Sequence, residues 1–346
     1  MSKKATLDMP KKAVLDNTPS SDATSVRGRA MRLRPAELWQ SAGPFAVFAA
    51  LFILVAVLTP TFIGGGGLSI LAVQAAPILL VALGQAMVLH VGSIDLSNAA
   101  VVVFSAIILA QTLGPFGAVA PLLCVALMTL IGAVNGFLIA FGQVPSFALT
   151  LGTLGILQAA SLVVSNATTV YATGNTELLD SLYGTALADL PEAFWLGVVV
   201  AAALWALLRF TRTGQGMTAV GLNESGALFS GLRTRWLKVA AFALSGLLSG
   251  IAGVLVIAQG GAASSFGLGS DLLLPGIAAA IVGGTAITGG VTNPINIVFG
   301  ALTVGLVPIG AAAVGITPQA QSLVYGLVII IVVALTMNRN RAGAVK

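Results

Sequence analysis

The segment TAVGLNESGALFSGL, residues 218–232, is a short, partly polar stretch within a chain that is otherwise strongly apolar. Asn223 is a favourable N-cap residue, Glu224 follows it where a negative charge suits the helix dipole, and Gly231 can end a helix. The pattern therefore predicts a helix of about two turns. Because a helix this short is not stable alone, we expect it either to lie on a membrane surface or to dock in a groove of a soluble partner.

The composition of the whole chain excludes a soluble fold. Of its 346 residues, 57% are hydrophobic and only 8% are charged, and the mean hydropathy is +1.02. A soluble domain carries about 25% charged residues. Apolar runs of about 20 residues recur, and each is long enough to cross a hydrocarbon core of ~30 Å as a helix. The sequence therefore predicts an all-α polytopic membrane protein.

The distribution of basic residues predicts the orientation in the membrane. All 16 Lys and Arg residues lie before residue 35, between residues 209 and 238, or after residue 338. Because Lys and Arg mark cytoplasmic segments, both termini and the central loop 211–237 should be cytoplasmic. The loop 167–192 contains acidic but no basic residues and should be extracytoplasmic. The charges thus indicate topology, not nucleic-acid binding.

The apolar runs and the charge parity together predict about ten transmembrane helices. We place them at 43–62, 69–91, 96–112, 116–141, 146–166, 193–210, 238–258, 272–290, 295–314 and 319–337. Residues 1–41 should form a disordered cytoplasmic tail, 42–338 the transmembrane domain, and 339–346 a cytoplasmic C-terminal tail. The segment HVGSIDLSN, residues 90–98, could be a tight cytoplasmic turn or a break within the membrane.

The chain lacks the motifs of several classes of enzyme and metal protein. It has one cysteine, Cys124, and one histidine, His90, which excludes Cys-based zinc sites and His-pair metal sites. It contains no phosphate-binding G-x-x-x-x-G-K-[ST] motif and no recognisable catalytic motif. We therefore expect no catalytic residue, no metal and no cofactor, and any ATP must be hydrolysed by another chain.

Charged residues are rare in the predicted spans, and Asp95 is the only one between Glu37 and Glu177. Asp95 and His90 could form a proton relay. Alternatively, Asp95 and Ser97 could cap the following helix by accepting bonds from its free N–H groups. A gating role for Asp95 is compatible with the capping role.

Three hydroxyl side chains, those of Ser146, Thr150 and Thr153, share one face of a predicted helix. They could line a polar path for a hydroxyl-rich solute. They could equally bond to carbonyl groups one turn earlier and pack against a neighbouring helix. The sequence leaves these two interpretations open.

Four segments resemble the permease subunits of ribose-type ATP-binding-cassette (ABC) sugar importers, and they follow the family's order. Residues 211–232 resemble the coupling loop, 83–106 resemble the G-G-I-D-L-S segment, and 144–153 and 277–290 resemble two further segments. The resemblance extends from about residue 45 to residue 335 and is specific because the four motifs occur together.

The resemblance assigns candidate roles to individual residues. The matching positions in the coupling loop are Thr211 or Thr213, Gly214, Ala219, Gly221, Asn223, Ala227 and Gly231. The implied ATPase-coupling helix comprises Gly221, Asn223, Glu224, Ala227 and Gly231. In the second segment Asp95 and Ser97 are in place, whereas Ser93 replaces a glycine. The candidates for gating or the translocation path are Asp95, Ser97, Ser146, Thr150 and Thr153.

The resemblance implies the ten-helix type II ABC importer fold, shared with branched-chain amino acid and vitamin B12 permeases. It further implies a second permease copy, identical or closely homologous, a cytoplasmic ABC ATPase and an extracytoplasmic solute-binding protein. The protein should be a multi-pass component of the bacterial plasma (inner) membrane. Its expected function is the import of a small neutral, monosaccharide-like solute, driven by ATP hydrolysis on the partner, with no nucleic acid involved.

One departure from the family pattern leaves the solute open. Many sugar permeases carry an acidic E-L-D cluster before the segment 277–290, where this chain has Leu273, Leu274 and Pro275. Branched-chain amino acids, nucleosides or a signalling furanosyl compound are therefore alternative solutes. An ion-coupled secondary carrier is a further alternative, which the scarcity of acidic residues in the spans disfavours.

Overall fold

The computed structural model describes residues 35–336, except 65, 185, 266–268 and 318–319. Its first helix begins at Pro35, within the segment predicted as a tail. Most of that predicted tail, and the whole of the predicted C-terminal tail, lie outside the described residues.

The described chain is almost entirely helical, which confirms the all-α prediction. Its α-helices are α1 (Pro35–Leu58), α2 (Thr61–Gly64), α3 (Gly67–His90), α4 (Asn98–Phe116), α5 (Ala120–Gly142), α6 (Ser146–Val164), α7 (Glu177–Gly184), α8 (Glu192–Phe210), α9 (Arg212–Leu222), α10 (Glu224–Phe229), α11 (Thr234–Gly260), α12 (Leu273–Val282), α13 (Pro294–Ala313) and α14 (Gln321–Thr336). Two antiparallel pairs of two-residue strands add to them: β1 (Val170–Tyr171) with β4 (Ala262–Ala263), and β2 (Ala186–Leu187) with β3 (Leu190–Pro191).

Six helical stretches of the described chain are long and apolar enough to cross a membrane. They are Gly67–His90, Asn98–Gly142, Ser146–Val164, Glu192–Phe210, Thr234–Gly260 and Pro294–Ala313. The stretch Asn98–Gly142 has 45 residues, about twice the length that one crossing needs. Ala42–Leu58 and Ser270–Val282 are shorter apolar helices. The chain is thus a multi-pass helical membrane protein, and the number of ten crossings stays a prediction.

The predicted span 272–290 is helical only as far as Val282. Gly284, Gly289 and Gly290 all have positive φ values, between +77° and +89°, a conformation that glycine adopts without steric cost. Residues 283–293 therefore form an irregular connection to α13. The prediction of a single helix over 272–290 was wrong in this part, because it rested on the apolar run alone.

The longest described helix, α11, is central and packs against α3, α4 and α5. Its contact with α5 is close because glycines face backbone: a Cβ added at Gly132 would overlap the carbonyl oxygen of Phe242, and one added at Gly246 would overlap that of Met128. Small residues permit such close approach between membrane helices. Side chains on α11 can therefore reach segments that lie far away in the sequence.

Candidate functional site

The two short helices α9 and α10 form a capped unit between α8 and α11. At the start of α9, the Thr211 hydroxyl accepts a hydrogen bond from the Gly214 N–H (3.0 Å). At the start of α10, Asn223 Oδ1 accepts one from the Gly226 N–H (3.0 Å). Each bond satisfies a backbone donor that the helix itself leaves free. The predicted N-cap at Asn223 is confirmed.

The end of α10 is closed by backbone hydrogen bonds. The N–H of Leu232 bonds to the carbonyl of Ala227 (3.1 Å), and the N–H of Gly231 bonds to the carbonyl of Leu228 (3.0 Å). Gly231 has φ +81°, so these are the paired bonds of a Schellman motif. The predicted helix end at Gly231 is confirmed, and the buried side chain of Ala227 turns α10 towards the protein.

An ion pair anchors α10 to α11. Lys238 Nζ lies 2.7 Å from each carboxylate oxygen of Glu224. The Glu224 side chain is half exposed and Lys238 is mostly covered. On the outer side of α10, Leu228 is exposed and Phe229 is 91% exposed. The carboxylate of Glu224 thus holds the helix on its own chain, while Phe229 is the side chain that α10 presents outwards.

Three segments meet where α9 ends, and we call their meeting point the junction: His90 at the end of α3, Gly221 in α9, and Gly289–Gly290 in the connection before α13. The Gly290 N–H bonds to the His90 carbonyl (2.9 Å), and His90 Nε2 lies 2.9 Å from Thr218 Oγ1. A Cβ at Gly221 would overlap both the His90 carbonyl oxygen and the Gly290 nitrogen. The junction therefore joins α9 directly to the last residue before the α3–α4 loop.

The α3–α4 loop, residues 91–97, carries a buried carboxylate. Asp95 is 3% exposed. Its Oδ1 accepts hydrogen bonds from the Ser97 N–H (2.9 Å) and hydroxyl (2.6 Å), and its Oδ2 accepts one from the Ser245 hydroxyl on α11 (2.8 Å). Asn135 Nδ2, on α5, donates to the Ser97 hydroxyl (3.2 Å). The loop is thus tied to α11 through Asp95 and to α5 through Ser97.

These contacts correct the predicted capping arrangement. Ser97 is the N-cap residue of α4, but its side chain makes no capping hydrogen bond and donates to Asp95 instead. Asp95 bonds to the N–H of Ser97 and not to one of the free N–H groups within α4. His90 pairs with Thr218, and no recorded hydrogen bond in the described chain links it to Asp95, as a relay would require. No motif or pattern in the sequence indicated that Ser245 would be a partner of Asp95.

The hydroxyl stripe of α6 binds the same loop. Ser146 Oγ accepts from the Ile94 N–H (3.1 Å), and Thr150 Oγ1 accepts from the Leu96 N–H (3.0 Å). Thr153 Oγ1 donates to Asn135 Oδ1 (2.8 Å) and so extends the network from α6 to α5. The side chains predicted to share one face do so, and that face holds the loop in place. A role in the solute path stays a prediction.

We expect Thr150→Val to destabilise the protein, because valine keeps the shape of threonine but leaves the half-buried N–H of Leu96 without its side-chain acceptor. The cost should be about 1–3 kcal/mol, seen as a lower thermal unfolding midpoint of the purified chain. Ser161→Ala is the matched control, since the Ser161 hydroxyl on the same helix is buried and has no partner in the described chain. Equal midpoints for the two variants would contradict the assigned bond.

The described residues contain no group of three or more His, Cys, Asp or Glu side chains that could hold a metal ion. The side chains at the site offer hydroxyl and amide hydrogen bonds and one buried carboxylate.

A family model described as "Branched-chain amino acid transport system / permease component" matches residues 67–333. The D-allose transport system permease protein of Escherichia coli K12 is 30% identical, over 90% of this chain and 97% of its own length. The ribose import permease protein of Bacillus subtilis 168 is 31% identical, over 87% and 94%. The L-arabinose ABC transporter permease protein of Azospirillum brasilense is 28% identical, over 95% and 97%. No solved structure matches the chain.

Proposed function

The chain belongs to the family of permease components of branched-chain amino acid transport systems, and from this premise we propose that it is the membrane subunit of an ABC importer for a monosaccharide. The names of similar proteins support the solute class, since they are permeases for D-allose, ribose, L-arabinose and fructose. As a permease component the chain is not an enzyme, and a partner subunit supplies the ATPase activity.

The family also implies the partners and the location. A permease component of an ABC importer works with an ATPase and a solute-binding protein and is a multi-pass protein of the bacterial inner membrane. We extend this to a pair of permease chains, a neutral solute, and cytoplasmic N- and C-termini. The orientation is supported by the basic residues near α9–α11 and by the acidic, Lys- and Arg-free loop 167–192.

In our proposal α10 is the helix that docks in the ATPase. Its caps make it rigid, its ion pair to Lys238 fixes its orientation, and Phe229 is almost fully exposed. An exposed aromatic side chain on a rigid helix is a typical anchor for a protein partner. Of the residues predicted as the coupling helix, Asn223, Glu224, Ala227 and Gly231 cap, anchor or end α10, whereas Gly221 lies in α9. The exposed Phe229 was not among the predicted residues.

The junction offers a route from the docked helix to the gate. A movement of α9 acts on His90 through Thr218 and on the connection 283–293 through Gly290. His90 immediately precedes the loop that contains Asp95 and Ser97, and this loop is held by Ser245 of α11 and by the hydroxyls of α6. We propose that exchange of these hydrogen bonds accompanies alternation between outward and inward states.

In this proposal Asp95, Ser97, Ser146, Thr150 and Thr153 belong to the gate and not to a permanent solute site. Their polar atoms are engaged with one another, with backbone N–H groups, or with the side chains of Asn135 and Ser245 in this state. They become available to a hydroxyl-rich solute only when the loop moves. Branched-chain amino acids are the second candidate solute class, favoured by the family description. Uptake of radiolabelled ribose and leucine by vesicles that contain the co-purified complex distinguishes the two.

We expect Phe229→Asp to remove the ATPase from the complex, because a charged side chain cannot replace an aromatic anchor in a partner groove. Loss of co-purification with the chain, and loss of ATP-driven uptake, would be measured in native membranes. The thermal unfolding midpoint of the chain alone should not change, since Phe229 is 91% exposed.

Two control variants make this test specific. Phe229→Leu keeps an apolar anchor and should retain most of the bound ATPase. Thr213→Asp adds the same charge at another exposed position of the same loop and should leave the ATPase bound. Co-purification that survives Phe229→Asp would overturn the assignment of α10, and uptake by the chain alone under an ion gradient would indicate a secondary carrier.

A further inference from the structure

A cleft of about 880 Å³ opens beside α10. One side consists of the α5–α6 connection, the other of α10 and the start of α11, and its floor includes Gly92 and Ser93 of the α3–α4 loop. Asp95 does not line the cleft, whereas Ser146 of the α6 face and Glu224 of α10 do. The cleft therefore adjoins the gate and the docking helix, but its own positive charge has no role in the proposed transport cycle.

The cleft carries an excess of positive charge. Four ionisable residues line it: Arg233, Arg235, Lys238 and Glu224. Glu224 and Lys238 neutralise each other in their ion pair. Arg233 and Arg235 are exposed, and the structure records no ion pair for either within its described residues. Two guanidinium groups thus face the cleft region without a counter-charge.

Two hydroxyl groups without a partner in the described chain add hydrogen-bond donors. Ser93 and Thr234 line the cleft and are only 5% and 4% exposed. In the described part of the chain no hydrogen bond is recorded for either hydroxyl. Neither hydroxyl oxygen is among the fully buried, unpaired side-chain atoms of the described chain, so both are open to the cleft and can donate to an acceptor that enters it. Guanidinium and hydroxyl donors together suit a phosphate group.

The aromatic residues around the arginines indicate where this phosphate comes from. Arg235 lies over the ring of Phe141, 5.4 Å from its centre, and Trp236 packs on the same ring at 5.4 Å. Phe137 and Leu138, one turn earlier on α5, are exposed. Tryptophan and arginine beside exposed apolar side chains, at the ends of two apolar helices, are typical of the membrane interface. Beside a phosphate held there, the exposed side chains of Phe137 and Leu138 offer an apolar surface to acyl chains.

From these observations we propose that the cleft binds the phosphate headgroup of an anionic phospholipid of the cytoplasmic leaflet. Arg233 and Arg235 supply the charge, and Ser93 and Thr234 supply the deeper donors. Basic pockets between membrane helices on the cytoplasmic side bind lipid headgroups in this way. The bound lipid links α5, the α3–α4 loop and α11 at the foot of the coupling helix, and so stabilises their arrangement.

The test uses the full-length chain in lipid discs of phosphatidylcholine, with phosphatidylglycerol added in increasing proportion. A ligand that binds the folded state raises the thermal unfolding midpoint, so phosphatidylglycerol should raise the midpoint of the native chain. In the Arg233→Gln/Arg235→Gln variant the affinity for phosphatidylglycerol should fall about thirtyfold, so that most of the rise is lost over the same range of lipid composition. Thr234→Val should lower the affinity by a smaller factor.

The matched control is Arg209→Gln/Arg212→Gln, which removes the same charge from exposed positions in the neighbouring chain segment outside the cleft lining. It should respond to phosphatidylglycerol as the native chain does. An equal loss in both double variants would mean general surface attraction and would overturn the site. If the Arg233/Arg235 variant is unstable in phosphatidylcholine alone, the same comparison is made with Thr234→Val and Ser93→Ala, and an unchanged lipid response in both overturns the proposal.

Two further measurements distinguish other possible ligands of the cleft from a phospholipid. A midpoint raised as much by inorganic phosphate as by phosphatidylglycerol would identify a free anion and not a lipid. Loss of ATPase co-purification in the Arg233/Arg235 variant, with an intact lipid response, would assign the arginines to the protein partner. Because the lipid measurement needs no ATPase and no solute, its result is independent of the proposed import function.

Discussion

Gly221→Ala is expected to abolish solute uptake while the ATPase stays bound to the chain. The added Cβ would overlap the carbonyl oxygen of His90 and the nitrogen of Gly290. Both are backbone atoms, so neither can rotate away as a flexible side chain would. Overpacking of this kind costs about 1–3 kcal/mol. The end of α9 must therefore move away from α3, which interrupts the junction between the docked helix and the α3–α4 loop.

The measurement compares ATP hydrolysis with solute uptake in the same vesicles. Uptake should fall much further than hydrolysis, because α10 and its exposed Phe229 are unchanged. Gly226→Ala is the matched control: its Cβ would meet only the Asn223 side chain, at 3.2 Å, and should be tolerated. If vesicles with the Gly221→Ala chain take up as much solute per ATP hydrolysed as vesicles with the native chain, the junction does not transmit movement from the docked helix to the α3–α4 loop.

Asp95→Leu is expected to have the largest effect on stability. Leucine has similar bulk but accepts no hydrogen bond, so the Ser97 N–H and the hydroxyls of Ser97 and Ser245 lose their acceptor. A buried donor without a partner costs about 1–3 kcal/mol. The serine hydroxyls can turn to other acceptors, so a total of roughly 2–5 kcal/mol is expected. The thermal unfolding midpoint of the purified chain measures it.

Asp95→Asn separates a structural role from a gating role. Asparagine keeps the shape and one acceptor oxygen, and a serine hydroxyl can turn to accept from the new amide, so the unfolding midpoint should change little. If the charge takes part in gating, uptake should still fall. Normal uptake by Asp95→Asn would limit Asp95 to holding the α3–α4 loop, and a native midpoint for Asp95→Leu would contradict the hydrogen bonds themselves.

The coupling segment could be predicted from sequence because its structure is local. The cap at Asn223 and the helix end at Gly231 depend on backbone groups only a few residues away. The apolar runs that predicted the membrane helices are local signals in the same sense. Where two glycines interrupt such a run, as at Gly283–Gly284, the helix ends early, because hydropathy reports burial but not backbone conformation.

The partners of the polar side chains could not be predicted in this way. Asp95 and Ser245 are 150 residues apart, and His90 and Thr218 are 128 apart. The assignment of Glu224 to an ATPase-coupling helix did not include its ion pair with Lys238, which lies on another helix. In each case the bond depends on which helices are neighbours, and the period of apolar residues does not specify the neighbour.

The sequence by itself determined that this is a multi-pass helical membrane protein with the motifs of a permease, and that a rigid capped helix interrupts its apolar spans. These properties follow from composition and from interactions within a few residues. Only the tertiary structure decided that α9, which leads into this helix, contacts the end of α3 at His90 through Gly221, and that the buried carboxylate of Asp95 is shared with α11. The physical reason is that close backbone contact and buried hydrogen bonds arise only when distant segments pack together.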